Sequence, residues 1–144
     1  MLVQQILATK QDLGVISIKP DAPVADAANI LSSKRIGTVV VSEDGETLQG
    51  ILSERDIVRE LGKRGAGCLT DPVSDLMTRK IVTCSKADTA DRVLEMMTKG
   101  RFRHLPVMDD DKMIGLISIG DVVKARLSEL SMEKDALQGM IMGH

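Results

Sequence analysis

Apolar and polar positions along the chain repeat one order of elements twice. Short β-rich runs at residues 15–18 and 81–84 each lead into turn and helix-start residues, Pro20-Asp-Ala-Pro23 and Ser85-Lys-Ala-Asp88. Apolar residues then recur at helical spacing: Val24, Ala27, Ala28, Ile30 and Leu31 in the first copy, Val93, Leu94, Met96 and Met97 in the second. Two apolar runs follow in each copy. Residues 38–41 and 48–52 flank Ser42-Glu-Asp-Gly45, and residues 105–108 and 113–117 flank Asp109-Asp-Asp-Lys112. A second helix is predicted from Glu54 and from Ile119, so each copy reads β-α-β-β-α. Lead-ins at residues 2–7 and 73–77 precede the copies, Gly62-Lys-Arg-Gly-Ala-Gly67 reads as a linker, and residues 127–142 read as a continuing helix broken near Gly139.

The two halves also match residue by residue. Gly50-Ile-Leu-Ser-Glu-Arg-Asp-Ile-Val58 returns as Gly115-Leu-Ile-Ser-Ile-Gly-Asp-Val-Val123, 65 positions on. Upstream the offset becomes 66, pairing Thr38-Val-Val-Val41 with His104-Leu-Pro-Val107 and Ile16-Ser-Ile18 with Val82-Thr-Cys84. A unit this long, present only twice, is a duplicated half-domain and not a helical-repeat array. The expected division is residues 1–67 for the first repeat with its lead-in and linker, 68–128 for the second, and 129–144 for a helical tail.

Composition narrows the function. At 144 residues the chain is too short for a TIM barrel of about 250. With 19 Lys+Arg against 21 Asp+Glu, the net charge of −2 lacks the basic excess of a general nucleic-acid binder. Phe102 is the only aromatic residue, so one copy of the chain cannot build a base-stacking surface. Cys68 and Cys84 are too few for a disulfide framework or a common zinc site. Met1-Leu-Val-Gln-Gln has no basic leader region and no apolar run reaches membrane-spanning length, so a soluble, cytoplasmic protein is expected.

Gly-x-x-Ser-x-x-Asp closes the last strand of each copy, as Gly50/Ser53/Asp56 and Gly115/Ser118/Asp121. Ser-x-x-Asp before an apolar run is a capping box, with the carboxylate favoured in the first helical turn. The same geometry suits a ligand: a helix N-terminus offers N–H groups to phosphate, and a carboxylate there accepts both hydroxyls of a ribose. The motif by itself leaves both readings open. A cationic cluster, Lys99, Arg101, Arg103 and His104, enters a strand of the second copy, where Arg103 would suit bidentate phosphate contact. Neither His104 nor His144 has an assignable catalytic partner, and no nucleophile elbow exists. A P-loop fails at Ile57 and Arg64, and Gly65-Ala-Gly67 lacks the third glycine of a dinucleotide fingerprint. Asp109-Asp-Asp111 reads as a turn, not a metal site, and the nine methionines read as packing filler.

The duplicated β-α-β-β-α order, the Gly-x-x-Ser-x-x-Asp motif in each copy and the run Arg103-His-Leu-Pro-Val107 resemble a tandem pair of CBS domains (a Bateman module). The similarity is greatest to stand-alone bacterial CBS-pair proteins related to the regulatory domain of IMP dehydrogenase, and it covers residues 1–128. The resemblance implies a mixed α/β (α+β) fold of two repeats with pseudo-twofold symmetry, paired into a homodimer, with clefts for adenosyl ligands and no catalysis. AMP comes first among those ligands, then NAD(H), ATP/ADP and S-adenosylmethionine. One implied site uses Asp121 for the ribose, Ser118, Arg103 and His104 near phosphate, and Ser17, Lys19, Ile36, Gly37 and Thr38 around adenine. The mirror site uses Ser53, Arg55 and Asp56, with Val82, Thr83 and Phe102 around the base. Because Arg103-His104 stands where the first copy has Gly37-Thr38, the Asp121 site is expected to be the better monophosphate binder. The implied product is a regulatory nucleotide sensor that acts on an unidentified downstream protein. Its rival is a protein-interaction module in which both Ser-x-x-Asp motifs only cap helices; neither reading includes a nucleic-acid or membrane partner.

Overall fold

A computed structural model of the chain describes residues 1–10 and 15–141. Met142, where the tail was expected to end, and His144 lie outside the described residues. In chain order the elements of the first half are α1 (Val3–Thr9), β1 (Ser17–Ile18), α2 (Val24–Lys34), β2 (Thr38–Val41), β3 (Gly50–Ser53), α3 (Glu54–Arg64) and α4 (Val73–Leu76). Those of the second half are β4 (Cys84–Ser85), α5 (Ala90–Gly100), β5 (His104–Asp109), β6 (Lys112–Ser118) and α6 (Ile119–Ile141). Each copy therefore folds as β-α-β-β-α. The sheets are β1-β2-β3 and β4-β5-β6.

The described residues form two compact units, one holding residues 15–82 with 110–114, the other residues 1–10, 83–109 and 115–141. In the first-copy unit β1 runs parallel to β2, with Ser17 opposite Val40, while β2 and β3 are antiparallel, with Thr38 opposite Ser53. Val24, Ala27 and Leu31 line one stripe of α2, as their helical spacing requires, and bury against Val39, Val41 and Leu52 of the sheet, Ile57 of α3 and Val73 of α4. Full burial of each of these Val, Leu and Ile side chains contributes about 1.5–3 kcal/mol. In the second-copy unit Ala90, Val93 and Met97 of α5 pack on Leu105, Val107 and Ile117, joined by Val122 and Ala125 of α6. The lead-in helix α1 completes this core with Val3 and Ile6, although it precedes the other copy in sequence.

The motif glycines admit the two lead-ins. A Cβ on Gly50 would fall 2.4 Å from the Met77 sulfur, and a Cβ on Gly115 would fall 2.9 Å from a methyl of Leu7. Only a residue without a side chain lets the segments lie this close to the strands. In both copies the first helix ends on an arginine in the left-handed conformation, Arg35 (φ 55°) and Arg101 (φ 58°), turning the chain sharply into the next strand.

Three expectations are corrected. The glycine-rich stretch 62–67 is not an open linker: α3 runs to Arg64, and a 3-10 turn, Gly65–Thr70, follows with Cys68 fully buried. Arg64 ties this turn down through Glu60, at 2.8 Å, and Asp71. The second helix of the second copy passes through Gly139 unbroken to Ile141, because one glycine among good helix formers costs only about 1 kcal/mol. The first strand of each copy is shorter than its apolar run, since parallel pairing reaches only Ser17 and Ile18 in one sheet and Cys84 and Ser85 in the other.

Candidate functional site

In both copies the last strand runs straight into a helix through the Ser-x-x-Asp box. Ser118 Oγ accepts from Asp121 N at 3.1 Å while Ser118 N donates to Asp121 Oδ2 at 2.9 Å. Ser53 and Asp56 make the same pair of bonds, at 3.2 and 3.0 Å, and Ser53 Oγ adds a third contact to Asp56 Oδ2 at 3.1 Å. The capping reading is therefore correct for both motifs. What differs is the state of the carboxylates once the caps are made.

In the first-copy unit the Asp56 carboxylate is closed. Its Oδ2 is taken by Ser53, its Oδ1 by Arg59 one turn along the same helix, and the residue is 7% exposed. Glu54 N donates to Gly37 O at 2.9 Å, which ties Ile36, Gly37 and Thr38 to the start of α3. Arg55 is exposed at this helix start, and Lys19 is exposed just beyond β1. Ser17 stands opposite Val40 in the sheet. Val82, at the end of this unit, is also exposed.

In the second-copy unit the Asp121 carboxylate is open on one side among the described residues. Its Oδ2 receives Ser118 N and the ammonium of Lys10 at 2.9 Å, while no described residue hydrogen-bonds Oδ1. Lys10, at the C-terminal cap of α1, also donates to Leu116 O at 2.9 Å and is anchored from two directions. Ile119 N donates to Arg103 O at 2.8 Å, which sets Arg103-His104 beside the start of α6. Arg103 is exposed and makes no ion pair among the described residues. Lys99, by contrast, is spent on Glu95 at 3.0 Å, and Arg101 serves as the left-handed helix cap.

The charges in this cluster influence one another. Burial opposes ionisation of Asp121, but hydrogen bonds from Ser118 and Lys10 outweigh it and hold the carboxyl below its ordinary value. Burial, then the positive charge of Lys10, pushes the His104 imidazole down, against an opposite pull from Asp121. His104 is therefore a neutral ring at pH 7. The result is a carboxylate paired with Lys10 and near His104, with one oxygen that no described residue bonds, on the helix whose start Arg103 O joins. Such a set is suited to a ligand carrying both hydroxyls and an anion.

The structure thus brings Arg103, His104, Ser118 and Asp121 together in one unit, and Ile36, Gly37, Thr38, Ser53, Arg55 and Asp56 together in the other. Thr83 and Phe102 belong to the second-copy unit, where the Phe102 ring folds over Gly100 and packs on the core. Sequence reasoning missed Lys10. Its only signal there is its place three residues after Leu7, the residue that fills the space above Gly115. Of the cysteines, Cys68 is fully buried, and burial followed by the charge of Asp88 pushes the Cys84 thiol up to about 12. Among the described residues no His, Cys, Asp and Glu side chains converge as metal ligands, and no helix is long and apolar enough to cross a membrane.

Comparison with known proteins places this geometry. The profile of the CBS domain matches residues 6–63 and 73–128. The mitochondrial CBS domain-containing protein CBSX3 of Arabidopsis thaliana is 37% identical over 127 residues, covering 85% of this chain and 62% of that protein, so the chain spans less than two thirds of this relative. A CBS-domain-containing protein from Agrobacterium tumefaciens is 40% identical, with a TM-score of 0.81 over 88% of this chain and 99% of the other. CBSX2, crystallised in complex with AMP, is 31% identical, with a TM-score of 0.72 over 88% of this chain and 96% of the other. With both repeats matched and the fold shared, the chain belongs to the CBS-domain family as a tandem CBS pair.

Proposed function

We propose that this CBS pair is a non-catalytic regulatory module that senses an adenine nucleotide, with AMP first among its ligands and NAD(H), ATP/ADP and S-adenosylmethionine behind it. The observation that carries this reading is the unequal state of the two aspartates. Asp56 is saturated by Ser53 and Arg59, whereas no described residue bonds Oδ1 of Asp121, which lies near His104. A helix cap alone needs no such opening. An aspartate that accepts two ribose hydroxyls does, and the neighbouring cations then meet a phosphate. The AMP complex of CBSX2 supports the same ligand class.

Binding regulates only if the nucleotide prefers one arrangement of the protein over another. The arrangement we propose is a homodimer built on α6, which exposes Val123, Leu127, Leu130, Leu137 and Ile141 along one heptad-spaced stripe.

The test is a thermal-shift panel with AMP, ADP, ATP, NAD, NADH and S-adenosylmethionine. A ligand at 100 times its Kd stabilises by about 2.7 kcal/mol, a rise in Tm of roughly 5–15 °C for a chain of this size. We expect the largest shift with AMP and its loss in Asp121→Ala. A flat panel would overturn the sensor reading in favour of a protein-interaction module with purely structural caps.

A further inference from the structure

The ammonium of Lys10 occupies Asp121, the same carboxylate that the proposed function assigns to the ribose. It bonds Oδ2 at 2.9 Å and Leu116 O at 2.9 Å, and its side chain is 29% exposed. These partners lie far apart in sequence but meet because Leu7, three residues before Lys10, packs into the space left open by Gly115. The first-copy unit repeats the construction without the contact. Met77 fills the space above Gly50, and Lys80 follows three residues later, yet Lys80 is exposed and Asp56 is closed by Arg59. The ion pair is therefore particular to the Asp121 site.

We propose that Lys10 is a specificity-determining latch: it holds Asp121 in the free protein and passes to the phosphate of an incoming nucleotide, so that the site selects phosphorylated nucleosides over nucleosides. This rests on the reading of Asp121 as the ribose acceptor. The argument follows from what each ligand leaves behind. A nucleoside that engages Asp121 competes with a half-buried ammonium and offers it nothing in exchange, and a cation stripped of its partner there is costly. A nucleotide brings its own anion, so the ammonium exchanges one charge-assisted bond for another. Arg103, whose carbonyl meets the start of α6, and His104, which feels the charges of both Lys10 and Asp121, add to the preference for an anion. No second carboxylate is paired with Lys10 among the described residues, so the exchange is confined to one group.

The experiment is calorimetric titration of AMP and adenosine into the full chain and its Lys10→Met, Lys10→Gln, Lys10→Arg and Asp121→Ala variants. Lys10→Met is expected to weaken AMP roughly tenfold or more, the loss of one hydrogen bond to a charged group, and to leave adenosine unchanged or slightly tighter. Lys10→Arg should retain the preference for AMP. Lys10→Gln, which keeps a donor for Leu116 O without the charge, should behave as Lys10→Met does and stands in if that variant fails to fold. An unchanged ratio of AMP to adenosine affinity in the neutral variants overturns the latch and leaves Lys10 a structural ion pair. If Asp121→Ala binds AMP as well as the natural chain does, the ribose assignment itself fails, and that outcome is read independently of the Lys10 variants.

Discussion

Arg59 closes the carboxylate of Asp56 from one turn further along the same helix, while the matching carboxylate, Asp121, takes its ion pair from Lys10 at the end of α1. The two copies share a motif and differ in what completes it. Arg59 is mostly exposed, so its pairing contributes little to stability, within about 1 kcal/mol. Its effect is to occupy Asp56 Oδ1. Replacing it with alanine is expected to leave Tm nearly unchanged and to free a second carboxylate for ribose. Calorimetry should then show AMP binding with increased stoichiometry relative to the natural chain. Unchanged stoichiometry would mean that the Asp56 motif is a helix cap alone.

The exposed stripe of α6 gives a prediction about assembly. Val123, Leu127, Leu130, Leu137 and Ile141 follow heptad spacing, with Lys134 at the one polar position. Sedimentation equilibrium should show a dimer, and Leu127→Glu with Leu130→Glu should yield a monomer of unchanged helix content. A monomeric natural chain at micromolar concentration would refute the homodimer.

Much of this was legible before any coordinates. The serines at 53 and 118 mark the starts of α3 and α6 because a side-chain oxygen there satisfies a backbone N–H that the helix cannot. The apolar spacing of α2 and α5 announced which faces would be buried. Other features were not legible. Periodicity reports that α1 has an apolar face, but not which sheet it covers, and Val3 and Ile6 lie over the copy that α1 does not precede. Lys10 and Leu116 are 106 positions apart, so their hydrogen bond leaves no local trace. The closure of Asp56 by Arg59 is local, yet an arginine one turn after an aspartate reads equally well as a solvated surface pair. The starts of β1 and β4 were placed too early because an apolar run begins before the first paired residue.

His104 gives the protein a pH dependence whose sign depends on the ligand. Burial and Lys10 hold the imidazole below its ordinary value of 6.5. The unfolded chain therefore binds the proton more readily, and His104 costs the free protein stability as pH falls below about 6.5. A bound phosphate reverses this by favouring the imidazolium, so AMP binding is accompanied by proton uptake. Affinity should rise as pH falls from 8 towards 6.5, then level off as the phosphate itself protonates near pH 6. His104→Gln should flatten both trends. Calorimetry in buffers of different ionisation enthalpy checks the proton uptake, and equal apparent enthalpies would rule it out.

Gly115 links the packing of α1 to the site. A Cβ there would meet the Leu7 methyls at 2.9 and 3.1 Å, so Gly115→Ala must displace the Leu7 side chain and presses on the helix that carries it. Leu7 has rotamer freedom and sits at the packed edge of the core, so the stability cost should resemble other overpacked positions, about 1–3 kcal/mol. The more telling effect is on Lys10, which must reach Leu116 O and Asp121 from the end of that helix. Gly115→Ala is therefore expected to weaken AMP binding although no added atom touches the ligand cluster. Ala at 115 together with Leu7→Ala, which clears the space again, should recover AMP affinity while losing further stability from the truncated side chain. If the double variant remains as weak as Gly115→Ala, the glycine acts on the strand itself and not through the position of Lys10.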